Sequence, residues 1–173
     1  MNIFGQTNCM TQTLTSNSGA RPRKSLLAAI LLTGLLAGTL DAIAATVNFW
    51  IHGGKDAGKI WRYVAGAALG PSARTGGTGI MLLGLFFHYI VAYAFTVFYF
   101  LIYPKMPALS KNFVVSGLLY GIFVWIVMNL GVVPLSQIGK FPSTVESVVT
   151  NILILMVMIG LPIAWGAKRY YGK

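Results

Sequence analysis

Residues Leu26 to Ile51 read LLAAILLTGLLAGTLDAIAATVNFWI, 26 residues in which Asp41 is the single charge. A hydrocarbon core about 30 Å thick needs roughly 20 helical residues to cross, so this run is long enough to span a bilayer with some tilt. Three further apolar runs follow, Gly79 to Tyr103, Phe113 to Val133 and Val148 to Ala167. Pro104 and Pro107 close the second run and Pro134 closes the third, as expected of a residue with no N–H to continue a helix. The predicted fold class is all-α: a polytopic membrane protein built as a four-transmembrane-helix bundle.

Composition carries the same message. The chain of 173 residues is 56% hydrophobic and 9% charged, and its mean hydropathy is +0.73. Soluble domains carry roughly 25% charged residues, so this chain cannot cover a water-facing surface. The formal net charge of +10 does not point to nucleic acid. The basic residues sit in the gaps between apolar runs, where they set orientation and meet anionic headgroups. The expected partners are the lipid bilayer and, for a transport role, further copies in a homo-oligomer, because four helices alone enclose little space.

Residues 1–25 read as a disordered polar tail with a basic boundary at Arg21, Arg23 and Lys24, and residues 168–173 as a basic cytoplasmic end. The tail holds the single cysteine, Cys9, with no lipidation motif around it. A secretory signal is the rival reading of the first run, since Ala42-Ile43-Ala44 resembles a cleavage site. Apolar residues continue through Val47, Phe49, Trp50 and Ile51, well beyond an h-region of roughly 7 to 15 residues, which favours a retained span.

Between the first two spans, Asp56 is placed to cap a short helix whose apolar face is Ile60, Trp61, Tyr63, Val64 and Leu69, and Gly70-Pro71 stops it. With Lys59, Arg62, Trp61 and Tyr63 it suits a short outer interfacial helix, lying in the headgroup region or dipping in from it.

Asp41 is the most informative residue. A carboxylate inside a span costs roughly 2.5–3.5 kcal/mol on insertion scales. Gly34, Gly38, Asp41, Ala45 and Asn48 follow at spacings of four, three, four and three, and so share one helix face. Gly34 and Gly38 let a neighbouring helix approach closely. His88 is the natural partner. Asp41 precedes Trp50 by nine residues and His88 follows Gly79 by nine, so both lie about 13 Å from the same surface. A hydrogen bond or ion pair between Asp41 and His88 is expected, and it either locks two helices in register or forms a proton-sensitive site. Asn48, Asn129, Thr150 and Asn151, with His52 at the rim, are expected to form a second polar layer nearer the outer surface. Gly117 and Gly121 form a second close-packing pair. Haem on His52 and His88 is disfavoured by their different depths. No nucleotide loop, zinc spacing or hydrolase motif is present, so no catalytic residue, metal or cofactor is expected.

The stretches Ala37-Gly38-Thr39-Leu40-Asp41-Ala42-Ile43-Ala44-Ala45, Gly84-Leu85-Phe86-Phe87-His88 after Gly76-Gly77, and Tyr120-Gly121-Ile122-Phe123-Val124-Trp125-Ile126-Val127-Met128-Asn129 resemble small uncharacterised bacterial inner-membrane proteins of the YagU-like kind. The resemblance covers about residues 26–166 and implies an inner-membrane location with no established activity to transfer. A link of such proteins to acid tolerance would suit a buried Asp–His pair. The expectation is a non-catalytic accessory or stress-related membrane protein. A small oligomeric transport or channel component and a membrane redox protein are the alternatives.

Orientation follows from Lys and Arg. With the N-terminus inside, the inner side holds the eight residues Arg21, Arg23, Lys24, Lys105, Lys111, Lys168, Arg169 and Lys173. The outer side holds the five residues Lys55, Lys59, Arg62, Arg74 and Lys140. Reporter fusions after Gly172 are therefore predicted to signal the cytoplasm and fusions near Arg74 the opposite side. An outside signal at the C-terminus overturns this topology.

Overall fold

The computed structural model describes residues 25–137 and 144–172. The polar tail with Cys9, the basic boundary at Arg21 to Lys24, Lys140 and Lys173 lie outside them. The described residues are helical with no strand, and the expected all-α four-helix architecture is the one observed. Helices α1 (Leu26–Ile51), α3 (Thr78–Lys105), α5 (Phe113–Leu135) and α6 (Val145–Tyr171) are each long and apolar enough to cross a membrane. The short helices are α2 (Gly58–Leu69) and α4 (Pro107–Lys111). The fourth span starts before and ends after the run expected from hydropathy. Thr144 supplies its N-cap, its Oγ1 accepting from the Ser147 N–H at 3.3 Å, and Lys168 and Arg169 fall in its last turn, where cations complement the helix dipole. Asn112 likewise caps α5, its Oδ1 accepting from the N–H groups of Val114 at 3.1 Å and Val115 at 3.4 Å.

The spans pack cyclically: α1 on α3 and α6, α5 on α6, and α3 on α5 through aromatic rings. The chain enters α1, leaves α3, enters α5 and leaves α6 at one end of the bundle, here called the terminal end. Tyr103 of α3 stacks on Tyr171 of α6 there, with ring centroids 5.4 Å apart.

Two prolines shape the second half of the chain. Pro134 and Pro162 have no N–H for the carbonyl four residues back, and each ring crowds the preceding turn. The helices answer with wider π-helical turns over Val127–Val132 and Leu155–Gly160. The second of these lies against α5 where it carries no side chain. A Cβ on Gly121 would overlap the Met156 backbone. One on Gly117 would lie 2.9 Å from the Gly160 carbonyl oxygen, and one on Gly160 would strike the Gly117 carbonyl.

The buried core lies towards the terminal end: Ala37, Tyr99, Phe100, Tyr120, Val124, Ile159 and Ile163 with their neighbours. Its tyrosine hydroxyls find partners on other helices, as apolar surroundings require. Tyr99 pairs with Ser116 Oγ at 2.5 Å, Tyr120 donates to the Phe95 carbonyl at 2.6 Å, and Tyr171 donates to the Phe100 carbonyl at 3.0 Å. The opposite half is looser. In α1 beyond Gly38, in α5 beyond Val124 and in α6 before Ile159, every described residue keeps part of its surface accessible.

Gly121→Ala is predicted to lower the unfolding midpoint in detergent, at a cost of about 1–3 kcal/mol for forcing a methyl group into a closed contact. Gly131→Ala meets nothing within 4 Å and is predicted to be neutral or to stabilise by up to about 1 kcal/mol. Equal midpoints for the two variants would mean that α5 and α6 do not touch at Gly121.

Candidate functional site

The face of α1 that carries Gly34 and Gly38 meets α3. A Cβ on Gly34 would enter the ring of Tyr93, and one on Gly38 would sit 3.0 Å from the Tyr89 ring and 3.2 Å from the Ala92 Cβ. The two glycines are seats for two tyrosines. Both hydroxyls return to α1: Tyr89 shares a hydrogen bond with Thr39 Oγ1 at 2.9 Å, and Tyr93 donates to the Leu31 carbonyl at 3.2 Å.

His88 lies one residue before Tyr89, so the same packing presents its ring to α1. The imidazole Nε2 donates to the carbonyl oxygen of Gly38 at 2.9 Å. Asp41 stands three residues further along α1, half-buried and one turn from that carbonyl, and His88 is its charge neighbour. The direct contact expected between them is not formed. The one ion pair among the described residues joins Arg62 to Asp56, and the Asp41 carboxylate accepts no hydrogen bond from a described residue. The backbone carbonyl of Gly38, uncovered by a side chain, takes the imidazole donor that Asp41 was expected to accept. Two further contacts fix the His88 ring: Trp61 of α2 packs edge-on at 5.4 Å between centroids and Tyr89 at 5.5 Å.

Trp61 reaches this depth because α2 crosses α3 at Gly84, where a Cβ would collide with the Trp61 carbonyl. Gly84 is six residues into α3, about 9 Å along its axis, so α2 dips into the bundle rather than lying on its surface. Its entry is set by Asp56, whose Oδ1 accepts from the Gly58 N–H at 2.9 Å and whose Oδ2 accepts from Arg62 Nη1 at 2.9 Å. The Arg62 hydrogen bond, then the Gly58 N–H, hold the Asp56 carboxyl below its ordinary value. At the other end Gly70 adopts φ 89°, a left-handed conformation that favours glycine. Gln137, after α5, covers the last carbonyls of α2, its N–H donating to Ala67 and its Nε2 to Ala68, each at 3.1 Å. Burial raises the Tyr63 hydroxyl above its ordinary range, with Arg74 beside the ring opposing the shift.

The outer polar layer is not assembled across helices. Asn129 donates to the Trp125 carbonyl of its own helix at 3.0 Å. Asn151 donates to Ser147 Oγ at 3.4 Å, again within one helix. His52 Nδ1 donates to the Asn48 carbonyl at 2.8 Å, and neither Asn48 nor Thr150 forms a side-chain hydrogen bond to another span. Short polar side chains on a helix reach their own preceding turn, and here that contact wins. Among the described residues no group of three His, Cys, Asp or Glu side chains gathers to hold a metal ion.

No family model, curated protein or solved structure matches the chain. Fold and site define a multi-pass all-α membrane protein with a carboxylate and an anchored imidazole inside the bundle.

Because His88 is tied and Asp41 is not, their substitutions are predicted to differ in sign. His88→Ala loses the bond to Gly38 and the Trp61 contact and should destabilise the protein in detergent by about 1–3 kcal/mol. Asp41→Ala removes an intramembrane carboxylate with no hydrogen-bond partner, so the unfolding midpoint should hold or rise. Large losses in both single variants, with the double variant far short of their sum, would establish a direct pair instead.

Proposed function

We propose that this is a non-catalytic accessory or stress-related protein of a bacterial inner membrane, with both termini in the cytoplasm, akin to the YagU-like proteins. The observation that carries the reading is the aromatic core of the terminal half. Ala37 of α1, Tyr99 and Phe100 of α3, Tyr120 and Val124 of α5, and Ile159 and Ile163 of α6 form one buried cluster across the four spans, which supports a single chain without a polar route from one face of the membrane to the other. Asn129 and Asn151 of the opposite half bond within their own helices, which supports a packing role for them.

The second reading is a small oligomeric transport component, and one observation favours it. Asp41 bears the cost of a carboxylate inside a span without a hydrogen bond in return, which suits a group that meets protons or ions at a contact between copies.

Reconstitution into vesicles holding a pH-sensitive dye separates the two. Under an imposed pH gradient with valinomycin and potassium, the accessory reading predicts proton entry no faster than in protein-free vesicles. Faster entry that is lost in Asp41→Asn would replace it with the transport reading.

A further inference from the structure

On the face of α6 that looks away from α3, the Trp165 ring forms a ridge between two grooves. One, of about 430 Å³, runs between α1 and α6 from Ser25 at the terminal end to Leu36. The other, of about 390 Å³, runs between α5 and α6 and shares Leu36 and Trp165 with the first. Ser25 to Leu36 is eleven residues, about 16 Å along a helix, and one leaflet of hydrocarbon is about 15 Å deep. The first groove therefore has the length of an acyl chain in the leaflet at the terminal end; the second, from Val157 to Trp165, runs about 12 Å along α6 and is a shallower, more open trough.

Each groove also has a cation at its mouth, steadied by an aromatic ring of the groove itself. Arg169 Cζ lies 5.2 Å from the centroid of Trp165, and Lys168 Nζ lies 4.4 Å from the centroid of Phe113, which lines the second groove. Cation–π contact of this kind holds a charged head at a fixed height without neutralising it. No carboxylate does so either: Lys168 and Arg169 are exposed and neither belongs to an ion pair among the described residues.

We propose that this face is a binding site for one anionic diacyl phospholipid, with a chain in each groove astride Trp165 and the phosphate between Lys168 and Arg169. Two grooves sharing one ridge call for a ligand with two chains joined at one head. Two adjacent free cations at headgroup height call for negative charge there, since lipid phosphates are bound by Lys and Arg presented at that level. A zwitterionic lipid fits the grooves but gains less from the cations. A free phosphate gains from the cations but leaves both grooves to other lipid.

The test reads Trp165 directly. A chain carrying Trp50→Phe, Trp61→Phe and Trp125→Phe is reconstituted in phosphatidylcholine vesicles with increasing brominated-chain phosphatidylglycerol or brominated-chain phosphatidylcholine, and quenching gives the relative affinity at this face. The expected preference for phosphatidylglycerol is about fivefold or more, the effect of one basic residue at an anionic headgroup. It should fall to about one in Lys168→Gln, Arg169→Gln. Native mass spectrometry of the chain with all its tryptophans, in detergent with equimolar amounts of the two lipids, should retain phosphatidylglycerol with the same preference, and millimolar inorganic phosphate should not displace it. Equal quenching by the two lipids, a preference that survives loss of both cations, or displacement by phosphate overturns the proposal.

Discussion

At Gly117, Gly121 and Gly160 the backbones of α5 and α6 come into direct contact, because none of the three residues has a Cβ to hold them apart. In a bilayer the surrounding acyl chains are as apolar as leucine, so helices gain little by hiding apolar surface from one another and must gain by packing. Backbone contact is the closest packing available. It brings the π-helical turn of α6 against α5 and places Ile159 and Ile163 beside Tyr120 and Val124. Tyrosines of α3 and α5 complete this core and tie the two helices: Tyr99 of α3 pairs with Ser116 Oγ of α5, and Tyr120 of α5 donates to the Phe95 carbonyl of α3. The core of the terminal half depends on α5 and α6 being close enough for those rings to span.

The opposite half follows a different rule. Beyond Gly38 α1 has no further glycine, and α2 dips in beside α3 instead, seated at Gly84. This dip is what gives His88 an indole neighbour and a fixed ring. The proline-widened turns begin near the same level, at Val127 in α5 and Leu155 in α6. The turn in α5 falls in the looser half, whereas the turn in α6 begins at its edge and runs into the glycine contacts at Met156 and Gly160. Rigid and loose halves thus divide along the chain where glycine contacts give way to polar side chains.

Much of this division was legible in residue type and spacing, and its limits are physical. Span number and position follow from run length against bilayer thickness. The seats at Gly34 and Gly38 follow from the face they share with Asp41. Depth was also legible, since rise per residue places Asp41 and His88 at one level. What rise per residue does not carry is rotation about the helix axis. A turn of a few tens of degrees decides whether an imidazole meets a carboxylate or the carbonyl one turn away, and Tyr89 and Tyr93, docked into their glycine seats, make that choice. The asparagines failed to bridge for a related reason. An amide on a helix always has its own i−4 carbonyl in reach, whereas a partner on another helix must happen to face it. Gly84 and Gly160 went unread because a glycine facing a partner's backbone has no signature in its own helix. Only the paired spacing, as at Gly117 and Gly121, leaves one.

Asp41 is then the residue that packing does not account for. A carboxylate held in a span by hydrogen bonds can be read as structural, because its removal orphans its partners. Here removal orphans none: Gly38 answers His88, Thr39 answers Tyr89, and the two helices remain joined by Tyr93. Nor does Asp41 lie where water at the bundle end would meet it freely, since it is ten residues from the end of α1 at Ile51, about 15 Å along the helix. Asp41 therefore bears an insertion cost that no hydrogen bond among the described residues offsets, and its one charge neighbour is His88 of α3, whose ring is held between the Gly38 carbonyl of α1 and the Trp61 indole of α2.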